Sequence, residues 1–593
     1  MRYLKFFMKM KTKRRTNQSP LLSLAFLLLF GFCQQPERES LDIRLEAAAT
    51  TLNPLMPSPG YSRYVSGQIF QFLGTPDPET LVMKPLLAKT IPAVRSVTAG
   101  AHQGELAYDF EIHEAATWDN GSPVTAEDIV FTLKLIFHRG LPTNSWRGYY
   151  EYLTAVEIDP ANPKKFIAYF RQYYILALES LCQVPIYPAY NYDPGARLKN
   201  IPLTDLLDAA KGESFAASEA GKAFVEEFSA PKYTNEAKFI SGSGPYRMQS
   251  MSDDQGAVLV KKKDWWGDNA ALANPMLGAY PERIVYKIVK DEPAAESLLQ
   301  TQDLDLAVDL SPDRFKKMQQ DTLLTRLYDF KTRWTPRYSR LLFNLRNPDS
   351  ILADVRVRQA LAYTVDYDHL INVVQQGFAQ PVIGPINPAK PYYAKDVPRY
   401  TYNPAEAKRL LALAGWKDTD RDGVLDKVLN GQRVRLSLKM LTPNGSKIAD
   451  MVADNIRETA KQIGMELVLN RQDINNITKA TKAGDFQVAS FASASQPGLD
   501  ELYQAYHSAS LAGGDNRSGY QNPRLDSIIV AIRTMQNEPA RSLLYVEAQR
   551  ILHEDLPEVY LFSSYQRTVV AKKYNYVLTS IRPGYYEHLF RLK

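Results

Sequence analysis

The residues able to do chemistry are scattered in this sequence. Its seven histidines, His102, His113, His138, His369, His507, His553 and His588, form no His-Glu-x-x-His pair and no other metal-like spacing. The run Ser241-Gly242-Ser243-Gly244 is not a nucleophile elbow, because Ser241 stands where the first glycine belongs. Asp418, Asp420 and Asp422, followed by Gly423, match the first half of a calcium loop. Such a loop needs a bidentate glutamate at its last position, where this chain has Leu429, and Asp426 adds only one further carboxylate. The three aspartates are the weak metal candidate, and an acidic surface turn is the favoured reading. The sequence therefore predicts no enzyme, no catalytic residue and no cofactor.

Length and charge narrow the class. At 593 residues, with one domain per ~150 residues as a prior, the chain is long enough for about four units. Hydrophobic residues at 45% and charged residues at 23% describe a folded globular chain. The 35 tyrosines suit ligand surfaces and β-rich cores alike. The net charge of +6 comes from residues 1–32, where Arg2, Lys5, Lys9, Lys11, Lys13, Arg14 and Arg15 face no acid. Subtracting those seven charges leaves −1 for the rest, so no basic surface for nucleic acid is expected.

That N-terminal stretch has the parts of an export signal. A basic segment precedes the apolar run Leu21–Phe32 and then Cys33. Twelve residues are too few for a bilayer span, which needs ~20. A signal ending in cysteine resembles a bacterial lipoprotein signal, which implies a lipid anchor on Cys33. Phe32 and Phe30 depart from that pattern, which wants small residues before the cysteine. Residues 34–40 read as a polar tether. Cys182, the only other cysteine, reads as a small buried hydrophobe.

Local patterns place the remaining elements. Leu106, Tyr108, Phe110 and Ile112 alternate with polar residues as in a half-buried strand, and Asn120-Gly121 marks the turn after it. Thr125 and Asp128 approximate a capping box for a helix that buries Ile129, Val130, Leu133, Leu135 and Ile136. The segment Thr117–Lys134 is thus a strand–turn–helix corner. A first strand begins at Leu41 and ends at the turn Asn53-Pro54. Two strands after Gly244 are joined by a hairpin at Asp253–Gly256. From Arg340 the pattern predicts a strand, a polar loop and one long helix with Val355, Leu361 and Leu370 facing a core. A helix over Ser446–Ile463 between two strands predicts a parallel β–α–β unit.

Five stretches together resemble one family, the bacterial extracellular solute-binding proteins of the peptide/nickel/opine group, the receptors of ABC importers. They are TWDNGSPVTAEDIVFTLK, GSGPYRM, FNLRN with DVRVRQALAYTVD, YNPAEAKRLLALAGW with DRDG, and YVEAQRILHEDLPEVYLF. The resemblance implies an α/β fold, a two-lobed clamp of the periplasmic-binding-protein kind with an extra α+β subdomain on the first lobe. Carried onto this chain, the first lobe is 41–60, 238–337 and 560–593, the accessory subdomain 61–237 and the second lobe 338–559. The crossings between lobes then fall near Arg337 and Val559.

The resemblance also implies a role: capture of a peptide-like or other small solute by lobe closure, and delivery to an ABC permease. The protein would be a monomeric, membrane-anchored lipoprotein of the bacterial envelope. Sensing or chaperoning in the envelope without transport is the alternative. Peptide-binding members carry a Trp-x-x-Asp element whose acid pairs with the ligand's α-amine. Here Phe491 stands at the Trp and Ala494 at the Asp. The cleft is expected to be lined by Phe491, Ser493, Ala494, Ser495 and Gln496, with Asn53 from the first lobe and Arg337 and Tyr338 near the crossing. Without the acid, the ligand is expected to lack a free α-amine there.

Overall fold

The computed structural model describes residues 40–58, 60–494, 498–512 and 514–593. The signal, Cys33, residues 34–39 of the tether, Ser495 and Gln496 lie outside the described residues, and Ser40, expected in the tether, begins the first strand.

Twelve strands join into one hydrogen-bonded sheet. Its centre is the 14-residue strand Glu558–Ala571, and this strand serves two groups of partners. Its first half pairs antiparallel with Arg337–Phe343, from Leu342 opposite Glu558 to Ser339 opposite Phe562. Its second half pairs with Tyr328–Trp334, from Trp334 opposite Tyr565 to Tyr328 opposite Ala571. Beyond Arg337–Phe343 follow Val488–Ala494, Ser437–Pro443 and Glu466–Gln472. On the other side follow Leu306–Val308, Ser40–Leu45, Arg283–Ile288, Gly256–Lys261 and Tyr246–Ser252. Among the described residues two neighbouring segments, Trp334–Arg337 and Phe562–Tyr565, pass directly between the half-sheets, and the strand Ala379–Pro381 pairs with the second of them. They are tied together where Trp334 Nε1 donates to Ser563 Oγ at 2.9 Å.

Each half-sheet has its own core. Ile43, Leu306 and Val569 belong to one, and Leu341, Met440, Ile456 and Leu561 to the other, so a single strand feeds both. The helix Lys447–Lys461 joins the parallel strands Ser437–Pro443 and Glu466–Gln472, as its pattern predicts. The helices Pro523–Thr534 and Glu538–Asp555 send Leu525, Ile529, Tyr545 and Leu552 into the first core, although they follow the second half-sheet in sequence.

A separate four-stranded sheet, in the order Arg95–Ser96, Leu106–Glu111, Lys165–Phe170 and Leu153–Ile158, carries the predicted corner. Thr125 N donates to Asp128 Oδ2 at 2.9 Å, closing the capping box, and the Trp118 indole donates to the same oxygen at 3.1 Å. Asp119, in the turn between them, reaches out of the corner. It accepts from Ser241 Oγ at 3.0 Å and pairs with Lys262 at 2.6 Å, so the corner is bound to the Gly-Ser turn. That turn needs its glycines. A Cβ on Gly242 would lie 2.2 Å from the Ile69 carbonyl oxygen, and one on Gly244 would lie 2.7 Å from those of Gln68 and Ile69.

One expected element is corrected. The long helix through Leu370 is broken: it runs Val355–Ala362, and a new turn starts at Tyr367. The Tyr363 carbonyl accepts from Asn403 N instead of continuing the helix, and the Asp366 side chain caps the next turn. Leu361 and Leu370 are buried as expected, whereas Val355 is half-buried and Val357 takes the core position.

Candidate functional site

Strand register sets the face beside the crossing. Tyr338 lies opposite Ser493, and Arg340 opposite Phe491 and Tyr560, so these five side chains share one side of the sheet. Beneath them Arg340 and Glu558 form a buried ion pair. The Tyr506 and Tyr560 hydroxyls both donate to Glu558, that of Tyr560 at 2.8 Å. Burial works against the Arg340 charge, but Glu558 with Tyr338 and Tyr506 outweighs it, so the guanidinium is held charged. It stacks 4.8 Å from the centre of the half-buried Phe491 ring. Tyr338 is buried against Tyr560, with ring centres 5.7 Å apart. Arg337 and Ala494, opposite one another on the other side of the sheet, are exposed. The expected residues near the crossing are thus neighbours, divided between two sheet faces.

A cavity lies elsewhere. A space of ≈ 300 Å³ opens against Pro54, Arg63, Phe72, Trp146, Gln183 and Arg582. Asn53 adjoins it in sequence only: it is 2% exposed, and the Tyr187 hydroxyl donates to its Oδ1 at 2.7 Å. A small second cavity shares Arg582 and adds Glu46, Tyr61, Tyr64 and Asp309. Tyr61 donates to Glu46 at 3.2 Å. Burial raises the Glu46 carboxyl, and Arg44 beside it limits the rise.

Residues 83–513 match the model of the bacterial extracellular solute-binding proteins, family 5 middle. The chain belongs to this family. The oligopeptide-binding protein AppA of Bacillus subtilis is 25% identical over 524 residues, spanning 86% of this chain and 84% of AppA. The dipeptide-binding protein of Escherichia coli is 23% identical over 352 residues, 59% of this chain and 61% of its own. Among solved structures, AppA in complex with a nonapeptide superposes with a TM-score of 0.74 at 22% identity, covering 93% of this chain and 99% of AppA. NikA from Brucella suis in complex with Fe(III)-EDTA gives 0.73 at 17%, covering 93% and 100%. The fold is the α/β clamp of periplasmic binding proteins, and the relatives are named as binding proteins.

In this family-5 protein two groups of ion pairs join elements far apart in sequence. At one, Lys447 lies 2.9 Å from Asp313, which also accepts from Gln376. At the other, Arg533 lies 2.9 Å from Glu151 and 3.4 Å from Glu501, and stacks on Tyr503 at 4.4 Å and Tyr174 at 4.9 Å. Its carbonyl accepts from Ile175 N at 2.9 Å. Nearby, buried Asp500 accepts from Tyr392 at 2.9 Å. Burial pushes its carboxyl up to about 6, against Lys390 and Tyr392.

The acidic turn carries its own cations. Carboxylate oxygens of Asp418, Asp420 and Asp426 lie within 4.8 Å of one another. Arg433 pairs with Asp420 at 2.6 Å and Asp426 at 2.8 Å, and it holds the Asp426 carboxyl far below the usual range. Asp422 stands outside this cluster and is paired with Arg435. Among the described residues no helix is long and apolar enough to cross a membrane.

Arg63, Trp146, Gln183 and Arg582 were not among the residues that the sequence pointed to. The cavity joins positions hundreds of residues apart, and none sits in a stretch that marks the family.

Proposed function

We propose that this protein is the solute-capturing receptor of an ABC importer, closing its clamp on a small ligand and presenting it to the permease. The observation that carries the reading is a sheet whose halves, each with its own core, are joined by two adjacent crossings. Such a joint allows hinge motion with little loss of core contact. Relatives named for oligopeptides, dipeptides and nickel support import over sensing or chaperoning.

In this reading residues 41–60, 238–337 and 560–593 form the first lobe, 61–237 the accessory subdomain and 338–559 the second lobe. The helices between Pro523 and Asp555 then lie where the lobes meet. Phe491, Ser493 and Ala494 border the cleft, and a small ligand without a free α-amine suits the missing acid at Ala494. The protein acts as a monomer tethered to the envelope through lipid on Cys33, without catalytic activity, cofactor or nucleic-acid partner.

Native mass spectrometry of protein purified from its host tests the role. A small molecule released only on denaturation is expected. Protein that retains none, and that no solute stabilises, contradicts the reading.

A further inference from the structure

Arg533 stands in the last turn of helix Pro523–Thr534, and its side chain is almost wholly buried. Three rings surround the guanidinium: Tyr503 at 4.4 Å, Tyr174 at 4.9 Å and Tyr152 at 5.5 Å. Glu151 pairs with it at 2.9 Å, and Arg533 Nη2 donates to the Gly148 carbonyl at 3.2 Å. The backbone joins the same contact, because the Ile175 amide donates to the Arg533 carbonyl at 2.9 Å. Burial works against the charge, but Glu501 outweighs it, so a full cation occupies this tyrosine socket.

The socket has two walls. Glu501 and Tyr503 lie on the same side as Arg533, after the strand Val488–Ala494. Gly148, Glu151, Tyr152 and Tyr174 form the other wall and come from the stretch that carries the four-stranded sheet. The two walls meet at two more points. Gly148 lies against Gln504, where a Cβ would fall 2.6 Å from Nε2, and Gly498 lies against Glu179, where a Cβ would fall 2.9 Å from Oε2.

The wall that holds Arg533 is fastened to the second half-sheet. Arg358, on the helix Val355–Ala362 of the second core, donates through Nε to the Leu556 carbonyl at 3.0 Å and also binds the Asp555 carbonyl. Leu345 N, just beyond the strand Arg337–Phe343, donates to the Ser518 carbonyl at 2.7 Å. Motion about the crossings therefore carries Arg533 relative to Tyr152 and Tyr174. Attraction between a cation and a ring is strongest where water is excluded, so this contact is strong when assembled and weak once solvent enters. The Lys447–Asp313 pair, largely exposed, has no such dependence.

We propose that Arg533 is the latch of the clamp: its guanidinium enters the socket of Tyr152, Tyr174 and Glu151 as the lobes close and leaves it as they open. This rests on the receptor role and the lobe division proposed above. It gives the accessory subdomain the task of holding the second lobe shut.

The test is hydrogen exchange of the full-length protein followed by mass spectrometry. The Ile175 amide reads the latch, and the amides of helix Ala126–Phe137 serve as the reference for the accessory core. Arg533→Lys keeps a charge for Glu151 and Glu501 but loses the planar stack. It should raise exchange at Ile175 about tenfold and enlarge the radius of gyration, while the reference helix and the melting temperature stay as in the wild type. Exchange at Ile175 unchanged in Arg533→Lys overturns the proposal. So does a rise shared equally by the reference helix, which would make the contact an ordinary part of the fold. Should Arg533→Lys fail to fold, Glu151→Gln at the half-exposed end of the contact decides the matter, with a severalfold rise at Ile175 expected and none overturning the latch. Protein that shows the Ile175 response but neither retains nor binds a solute contradicts the receptor role and leaves the latch standing.

Discussion

Lys447 Nζ lies 2.9 Å from Asp313 Oδ2, joining the first turn of helix Lys447–Lys461 to the first turn of helix Pro312–Gln319. The two helices belong to opposite half-sheets. Both side chains are largely exposed, so the pair stabilises the fold by about 0.5 kcal/mol or less. Its effect is on the population of the closed form. Lys447→Glu should enlarge the radius of gyration in small-angle scattering while leaving the urea midpoint nearly unchanged. An unchanged scattering profile would show that this pair does not hold the clamp.

The Arg533 contact should behave differently, because Arg533 and Glu501 are buried. The Glu501 side chain is 4% exposed, and Arg533 is its cation. Arg533→Gln leaves that carboxylate alone and removes three aromatic stacking contacts. The expected loss is about 3–5 kcal/mol in urea unfolding. Glu151→Gln, at the half-exposed end of the same contact, should cost under about 1 kcal/mol.

The Gly-Ser turn gives a sharper test of packing. Gly242→Ala forces a Cβ against the Ile69 carbonyl and should cost about 1–3 kcal/mol or prevent folding. Gly121→Ala has open space around it and pays only for its left-handed backbone, about 1–2 kcal/mol. Thermal melting of both variants compares them directly. Equal losses would show that the close approach at Gly242 is relieved elsewhere.

Much of this architecture is readable in the sequence where a local pattern and a local bond coincide. Asn120-Gly121, Thr125 and Asp128 predict the corner, and the same residues make its hydrogen bonds. What is not readable there is the use of Asp119 to hold Ser241 and Lys262, because nothing local marks a contact across 122 residues. The break before Tyr367 is hidden for a similar reason: it depends on Asn403, which intercepts the Tyr363 carbonyl. Arg63 and Arg582 become neighbours of one cavity only after the last segment of the chain returns to the first.

Buried Glu587 supplies a pH signature. Its carboxyl is pushed up to about 7 by burial, against the Tyr286 hydroxyl that donates to it at 2.6 Å. The folded state thus keeps a proton that the unfolded state, with an ordinary glutamate, loses near pH 4.5. This contribution to stability is full below pH 4.5, falls as pH rises to about 7, and is absent above it. Its size is on the order of 3 kcal/mol. Glu587→Gln should flatten that part of the stability–pH curve in denaturant titrations. A variant curve parallel to the wild type would assign the slope to another group.

Capture as proposed above requires the two half-sheets to open and close about the crossings at Trp334–Arg337 and Phe562–Tyr565. Single-molecule energy transfer between dyes at Gln319→Cys and Lys461→Cys, both exposed positions, follows that motion directly. Cys182 is fully buried and will not compete for label in native protein. Protein stripped of ligand by unfolding and refolding should populate a lower-efficiency open state, and material purified with its ligand should hold the high-efficiency closed state. One efficiency, identical in stripped and ligand-bearing protein, would contradict capture by closure.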